Sequence, residues 1–178
     1  MQMKTADSGS YVRGAIALLF VLAATPLRGQ ASNVTAPPGS IMVARESRQT
    51  ILAPADLSKL PHRSVRVVAE GSSDSATVSG VNLWDILQAV GVPPTEASGR
   101  QRAVMYVRLK GSDGQSAVVA LVEVDPGFSR RTVLVADRRN GELLGESEGP
   151  WRVIIPDDQR HARWIRGLIS IEIVSLKP

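Results

Sequence analysis

The residues able to do chemistry concentrate between Asp137 and Trp164, in DRRNGELLGESEGPWRVIIPDDQRHARW. Five guanidinium groups (Arg138, Arg139, Arg152, Arg160 and Arg163), His161 and two indoles (Trp151 and Trp164) fall in this stretch. A guanidinium offers a planar fork of donors that grips a carboxylate or phosphate with two hydrogen bonds. Arg138, Arg139, Arg152, Arg160, His161 and Arg163 are therefore candidates to hold a small anionic ligand. The competing reading is a solvated loop in which they pair with Asp137, Glu146, Glu148, Asp157 and Asp158. Exposed pairs of that kind contribute only about 0–1 kcal/mol each, and the near balance of acids and bases favours this second reading.

Other chemistries lack the residues they need. The chain has no cysteine, which excludes disulfides, CxxCH haem attachment and any thiolate metal ligand. His62 and His161 lie far apart in the chain with no ligand spacing between them. Each is an acid–base group near neutral pH or simply a hydrogen-bonding surface residue. Asp157-Asp158 lacks the roughly six to eight oxygens of a calcium site and reads as a turn. Asp113 and Glu123 are candidates for a carboxylate pair across a hairpin. No Ser-His-Asp arrangement, P-loop or glycine-rich dinucleotide motif is present. The sequence assigns no catalytic residue and no metal ligand.

The elements that must position these groups are short. Asn140-Gly141 is a strong hairpin signal, because a type I′ turn needs positive φ at both central residues. Trp151 to Ile155 reads as a buried strand ended by Pro156, which cannot donate to a ladder. Upstream, residues 32–48 (with Pro37-Pro38-Gly39) show no apolar period and read as a linker or extended arm before a domain over 49–178. Strands are expected at His62–Ala69, Ala76–Ser79, Ala103–Leu109, Ser116–Ala120 and Thr132–Ala136, with a helical turn at Leu121–Val124. A half-buried terminal strand should bury Ile169, Ile171 and Ile173. The clearest helix spans 82–91: Asn82 caps it, Asp85 is placed to reach back to the cap, and Leu83, Ile86, Leu87 and Val90 form one stripe. Gly91 stops it, and Trp84 lies beside the stripe as core or lip. Short strands with one good helix indicate an α+β domain with a mixed or antiparallel sheet.

Residues 1–31 have the layout of a secretory signal peptide. Lys4 and Arg13 precede the apolar run Ala15–Ala24, then come Pro26 and the small-residue site Gly29-Gln30-Ala31, predicting cleavage after Ala31. The apolar run is well short of the roughly 20 residues that span a bilayer, so an uncleaved anchor is the weaker alternative. A periplasmic or secreted chain without a stable membrane anchor is expected. Cleavage takes Lys4, Arg13, Arg28 and Asp7 from the 21 basic and 17 acidic residues, leaving a net charge of only +2. Nucleic acid is not an expected partner. Arginine dominates the remaining bases, which suits anion binding but also follows from a GC-rich coding bias.

Gly80-Val81-Asn82-Leu83-Trp84-Asp85-Ile86-Leu87 followed by Gly91-Val92 resembles a segment of the oxidoreductase molybdopterin-binding domain, the sulfite-oxidase-like family, which includes small exported bacterial members. Further similar stretches keep the family's order: Asp113-Gly114, Leu121 to Pro126, Val133 to Ala136, Asn140 to Leu143, Gly149 to Pro156, and Ala162 to Arg166. The resemblance covers about residues 50 to 175. It implies a single α+β domain in which basic and polar loop residues hold a pterin and its phosphate, while a cysteine thiolate ligates molybdenum. That cysteine would follow the strand at Val65–Ala69, where this chain reads Val68-Ala69-Glu70-Gly71-Ser72. Gln115 also replaces an aromatic residue common after Asp-Gly.

A thiolate is a soft, strong donor, and a serine or glutamate oxygen in its place would alter the metal's redox chemistry. The expected function is therefore a ligand-binding or accessory module related to sulfite-oxidase-type oxidoreductases, with molybdopterin or another anion as ligand. One alternative is a periplasmic protein-interaction domain without cofactor. A second is a molybdopterin-dependent oxidoreductase with a non-thiolate metal centre.

Overall fold

Ile41 and Val43 alternate with Met42, and this brief period is enough to bury two side chains (0% and 3% exposed) while Met42 faces outward. In the computed structural model, which describes residues 36–68, 73–92 and 99–176, they belong to strand β1 (Ile41–Arg45). β1 turns back antiparallel into β2 (Arg48–Leu52) and runs parallel to the last strand, β10 (Leu168–Ser175), with Val43 opposite Ile171. The expected linker thus contributes a strand. Its partner lies at the opposite end of the chain, so no local pattern announces it. Trp151 pins the segment just ahead of β1, donating from Nε1 to the Gly39 carbonyl at 2.6 Å.

The first sheet continues from β10 to β5 (Met105–Gly111) and β6 (Ser116–Ala120), giving the order β2-β1-β10-β5-β6. Leu168 pairs with Gly111 but Ser170 pairs with Lys110, so Ile169 is the extra residue of a bulge. This corrects the expected alternation: Ile169 is turned outward and Leu168 takes the buried place beside Ile171 and Ile173.

The second sheet has the order β3-β4-β7-β8, with β9 on another part of β7. Its strands are β3 (His62–Val68), β4 (Ser75–Asn82), β7 (Leu134–Arg139), β8 (Glu142–Leu143) and β9 (Arg152–Ile154). Asn140 (φ 50) and Gly141 (φ 88) form the expected β7–β8 turn. Asn140 also ties that turn to β4, donating to the Thr77 carbonyl at 2.7 Å and accepting from the Thr77 amide at 2.9 Å. β4 runs straight into helix α2 (Leu83–Ala89), where Asn82 Oδ1 accepts from the Trp84 amide at 2.9 Å. Gly91, at φ 83, follows the helix as expected. Asp85 does not close a capping box; Asn82 is still registered against Leu134 in the sheet, and Asp85 lies 3.6 Å from Arg63.

Three other helical segments are single turns: α1 (Pro54–Leu57), α3 (Gly99–Ala103) and α4 (Leu121–Val124). The unexpected α3 delivers Arg102 to the interior, 2.5 Å from Asp125 and beneath the Trp84 ring. Trp84 is thereby a partly buried lid on an ion pair. Leu83, Ile86 and Leu87 of α2 join a single core with the inward residues of both sheets. Each fully buried aliphatic side chain stabilises by about 1.5–3 kcal/mol. No described helix is long and apolar enough to cross a membrane.

A second bulge lies in β7. Ser79 pairs with Arg138 while Gly80 pairs with Ala136, so Asp137 is its extra residue. Bulges re-aim side chains. Register places Val78 opposite Arg139, Gly80 opposite Ala136, and Ala136 opposite Arg152. Arg139 and Arg152 therefore share one sheet face, which a regular β7 would deny to Arg139. Gly80 permits the close approach: a Cβ there would sit 2.2 Å from the Val135 carbonyl oxygen and 2.5 Å from Ala136 Cα. Gly80→Ala should lower stability by about 2–3 kcal/mol, read as a fall in the urea midpoint. Gly145→Ala, with nothing within 4 Å, should change it by less than about 0.5 kcal/mol. Equal midpoints for the two variants would show that the bulge does not need glycine.

Candidate functional site

The face that carries Arg139 and Arg152 forms one wall of a cavity of about 700 Å³. Val67, Val68, Ser75 and Ala76 extend that wall along β3 and β4, and Asn140 closes it at the hairpin. The β5–β6 turn contributes Asp113 and Gln115, while the chain between β9 and β10 contributes His161, Trp164 and Arg166. A single 3₁₀ turn (His161–Arg163) presents the histidine, whose ring stacks on Trp164 at 3.5 Å and 12°. Gln115 links the two sides by donating from Nε2 to the Ala162 carbonyl at 3.1 Å.

The electrostatics centre on Arg152, which is only 8% exposed. Burial is the main cause holding its guanidinium below the ordinary arginine range; Glu148 opposes that shift, whereas Arg139 and Arg166 add to it. Glu148 Oε1 accepts from Arg139 Nη2 at 2.9 Å and also from Arg152 Nη1. The Arg152 guanidinium additionally lies over the Trp164 ring at 5.6 Å, a cation–π contact. Among the described residues the buried Nε atoms of both Arg139 and Arg152 have no hydrogen-bond partner. Buried donors of this kind nearly always find an acceptor in a finished site. Among the described residues no carboxylate pairs with Arg166, the third guanidinium on the cavity.

Of the six residues singled out from the sequence, Arg139, Arg152 and His161 meet at the cavity. Arg138 is on the other side of its strand, bonded to the Gly141 carbonyl at 3.2 Å. Arg163 is turned into a fork on Asp158, at 2.9 and 2.6 Å, and that bond raises its pKa. Arg160 precedes the 3₁₀ turn and does not line the cavity. The loop-pairing alternative describes Arg163 on Asp158 and also Arg139 and Arg152 on Glu148, but only the latter two line the cavity. Glu123 does not face Asp113; it caps α4 through the Ala120 amide at 2.9 Å and binds Arg131. Asp157-Asp158 forms the expected turn, with the Asp158 amide donating to the Ile155 carbonyl at 3.0 Å.

The cavity also takes in Arg166, Asp74 and Asp113, which sequence reasoning does not single out as anion-site residues. The Asp113-Gly114 turn is a visible signal, since Asp113 Oδ1 accepts from the Gln115 amide at 2.9 Å to shape it. Arg166 has none beyond its sequence neighbours. The lining carries three arginines against Asp74, Asp113 and Glu148, so it suits a ligand with an oxyanion at one end and N–H donors elsewhere. A pterin bearing a phosphate meets that description. The residues do not fit its metal: the chain has no cysteine sulfur to offer, and the described residues contain no group of three or more metal-binding side chains. Residues 69–72, where the resemblance places the thiolate, lie outside the described residues. Val68 and Asp74, on either side of that stretch, are both on the cavity wall.

Comparison with known proteins bears on the fold and the family. No curated protein matches the chain. Among solved structures, the sulfane dehydrogenase SoxCD from Paracoccus pantotrophus superposes with a TM-score of 0.57 at 17% identity, covering 75% of this chain. The match takes in only 37% of that protein's chain, and at this identity it establishes the fold alone. The family model of the oxidoreductase molybdopterin binding domain matches residues 45–176. The chain belongs to the oxidoreductase molybdopterin binding domain family, with the sulfite-oxidase-like α+β fold.

Proposed function

We propose that this chain is a ligand-binding or accessory member of its family, taking a phosphate-bearing pterin or a similar anion in the cavity and not working as a complete oxidase. The observation that carries this reading is the convergence of Arg139, Arg152 and Arg166 on one cavity, with two buried Nε donors that have no acceptor among the described residues. Arg139 and Arg152 would hold the oxyanion, and Arg166 would add attraction from the far wall. Asp74 and Asp113 would accept from the ring's N–H groups, and the stacked His161–Trp164 pair supplies a flat section of wall. This chain's residues supply binding and orientation, and no oxygen-transfer step follows from them, since the thiolate is replaced by no comparable donor.

Arg139→Gln and Arg166→Gln should each weaken binding of a pterin phosphate by about tenfold to a hundredfold, the loss of one charge-assisted contact of about 1.5–3 kcal/mol. Arg163→Ala, which removes a group committed to Asp158, should leave affinity within about threefold. Fluorescence titration of the pterin reads all three. The reading fails if the first two variants bind as tightly as the wild type.

We also propose export, with maturation after Ala31. The signal layout of residues 1–31 supports it. N-terminal sequencing of protein made in a bacterial host should begin at Ser32; a chain retaining its first residues in the cytoplasm would overturn it.

A further inference from the structure

We propose that Glu148 is a displaceable internal ligand of the cavity: its carboxylate holds the place between Arg139 and Arg152 that an incoming oxyanion takes. The inference rests on the anion-binding reading above and adds the selectivity of the same site. One oxygen, Oε1, serves both guanidiniums. A guanidinium fork is satisfied by two acceptor oxygens side by side, and Glu148 leaves each fork half used, with both Nε donors buried and unpartnered among the described residues. A ligand with several oxygens on one centre can reach Nη and Nε together, which the tethered carboxylate does not.

The local backbone suits such an exchange. Glu148 sits on the turn before Gly149, where its amide donates to the Gly145 carbonyl at 3.0 Å and the Gly149 amide donates to the same oxygen at 2.8 Å. Its own carbonyl accepts from the Gly167 amide at 3.1 Å. The main chain is therefore held on both sides while the side chain, 22% exposed, borders the cavity. Rotation about the side-chain bonds alone can withdraw the carboxylate. A buried cation needs a counterion at all times, so Glu148 keeps Arg152 paired until a ligand replaces it.

Selectivity follows from this competition. A ligand gains only if it offers more than the one oxygen it displaces. The site should prefer a tetrahedral dianion, such as a phosphate monoester, over a monocarboxylate, and should ignore chloride. Removing the competing charge should raise affinity for all oxyanions and narrow the preference.

Calorimetric titration of the full chain with inorganic phosphate and with acetate, on the wild type and Glu148→Gln, tests this. The expected result is at least a tenfold rise in phosphate affinity in the variant, with a larger proportional gain for acetate. If the wild type binds phosphate and the variant binds it equally or less well, Glu148 is not a competitor and the proposal falls while the anion site stands. If neither protein binds either anion, both fall. A second measurement avoids dependence on the variant's folding. Carbodiimide labelling of wild-type carboxylates, followed by peptide mass analysis, should show Glu148 several-fold more reactive with inorganic sulfate present than without it. Labelling unchanged by sulfate overturns the displacement.

Discussion

A guanidinium taken out of water must find compensation inside the protein, and the site is arranged around that requirement at Arg152. Its strand, β9, is buried at every position, so the Arg152 side chain reaches only the cavity and is largely removed from solvent. The protein meets the demand with Glu148 on one side and the Trp164 ring on another. Replacing a buried ion pair with apolar residues is often neutral or stabilising, whereas removing one partner is strongly destabilising. The pair at Arg152 is therefore weak evidence for stability, and so is the still more deeply buried Arg102–Asp125 pair.

The rest of the architecture brings other groups to that charge. The second sheet supplies Arg139 through the bulge at Asp137, and Gly80 makes the bulge sterically possible. The first sheet supplies Asp113 and Gln115 from its β5–β6 turn, and Gln115 anchors the 3₁₀ turn that carries His161. Arg163 does not touch the cavity, yet its fork on Asp158 fixes the loop from which His161 and Trp164 project. Holding the loop and lining the cavity are thus divided among arginines that look equivalent in sequence. The division depends on which side of a strand or turn each one leaves.

That dependence separates what is legible in the sequence from what is not. Asn140-Gly141 and the Asn82 cap are legible because their chemistry is local: a positive φ pair and a single hydrogen bond to a nearby amide. The buried strand around Trp151 to Ile155 is legible from its apolar run. β1 is not, since two inward residues are too few to show a period and β10 pairs with them from the far end of the chain. Ile169 departs from its expected place because a bulge breaks strict alternation without any marker at that residue. Among the arginines, type and spacing reveal that a cluster exists. Direction is set by the Asp137 bulge and the 3₁₀ turn, and neither has a one-residue signature. The buried Arg102–Asp125 pair is hidden for a related reason, as its helical turn is too short to carry a pattern.

The family relationship sharpens the meaning of the missing sulfur. A thiolate and a cluster of guanidiniums make separable contributions: one bonds a metal directly, the other neutralises charge on the organic part of a ligand. In this chain three arginines line one cavity, while a cysteine is absent from the whole sequence. Burial of Arg152 carries a desolvation cost that an aliphatic residue there would relieve. The cavity wall thus carries buried guanidinium charge, and the sequence has no cysteine to set beside it.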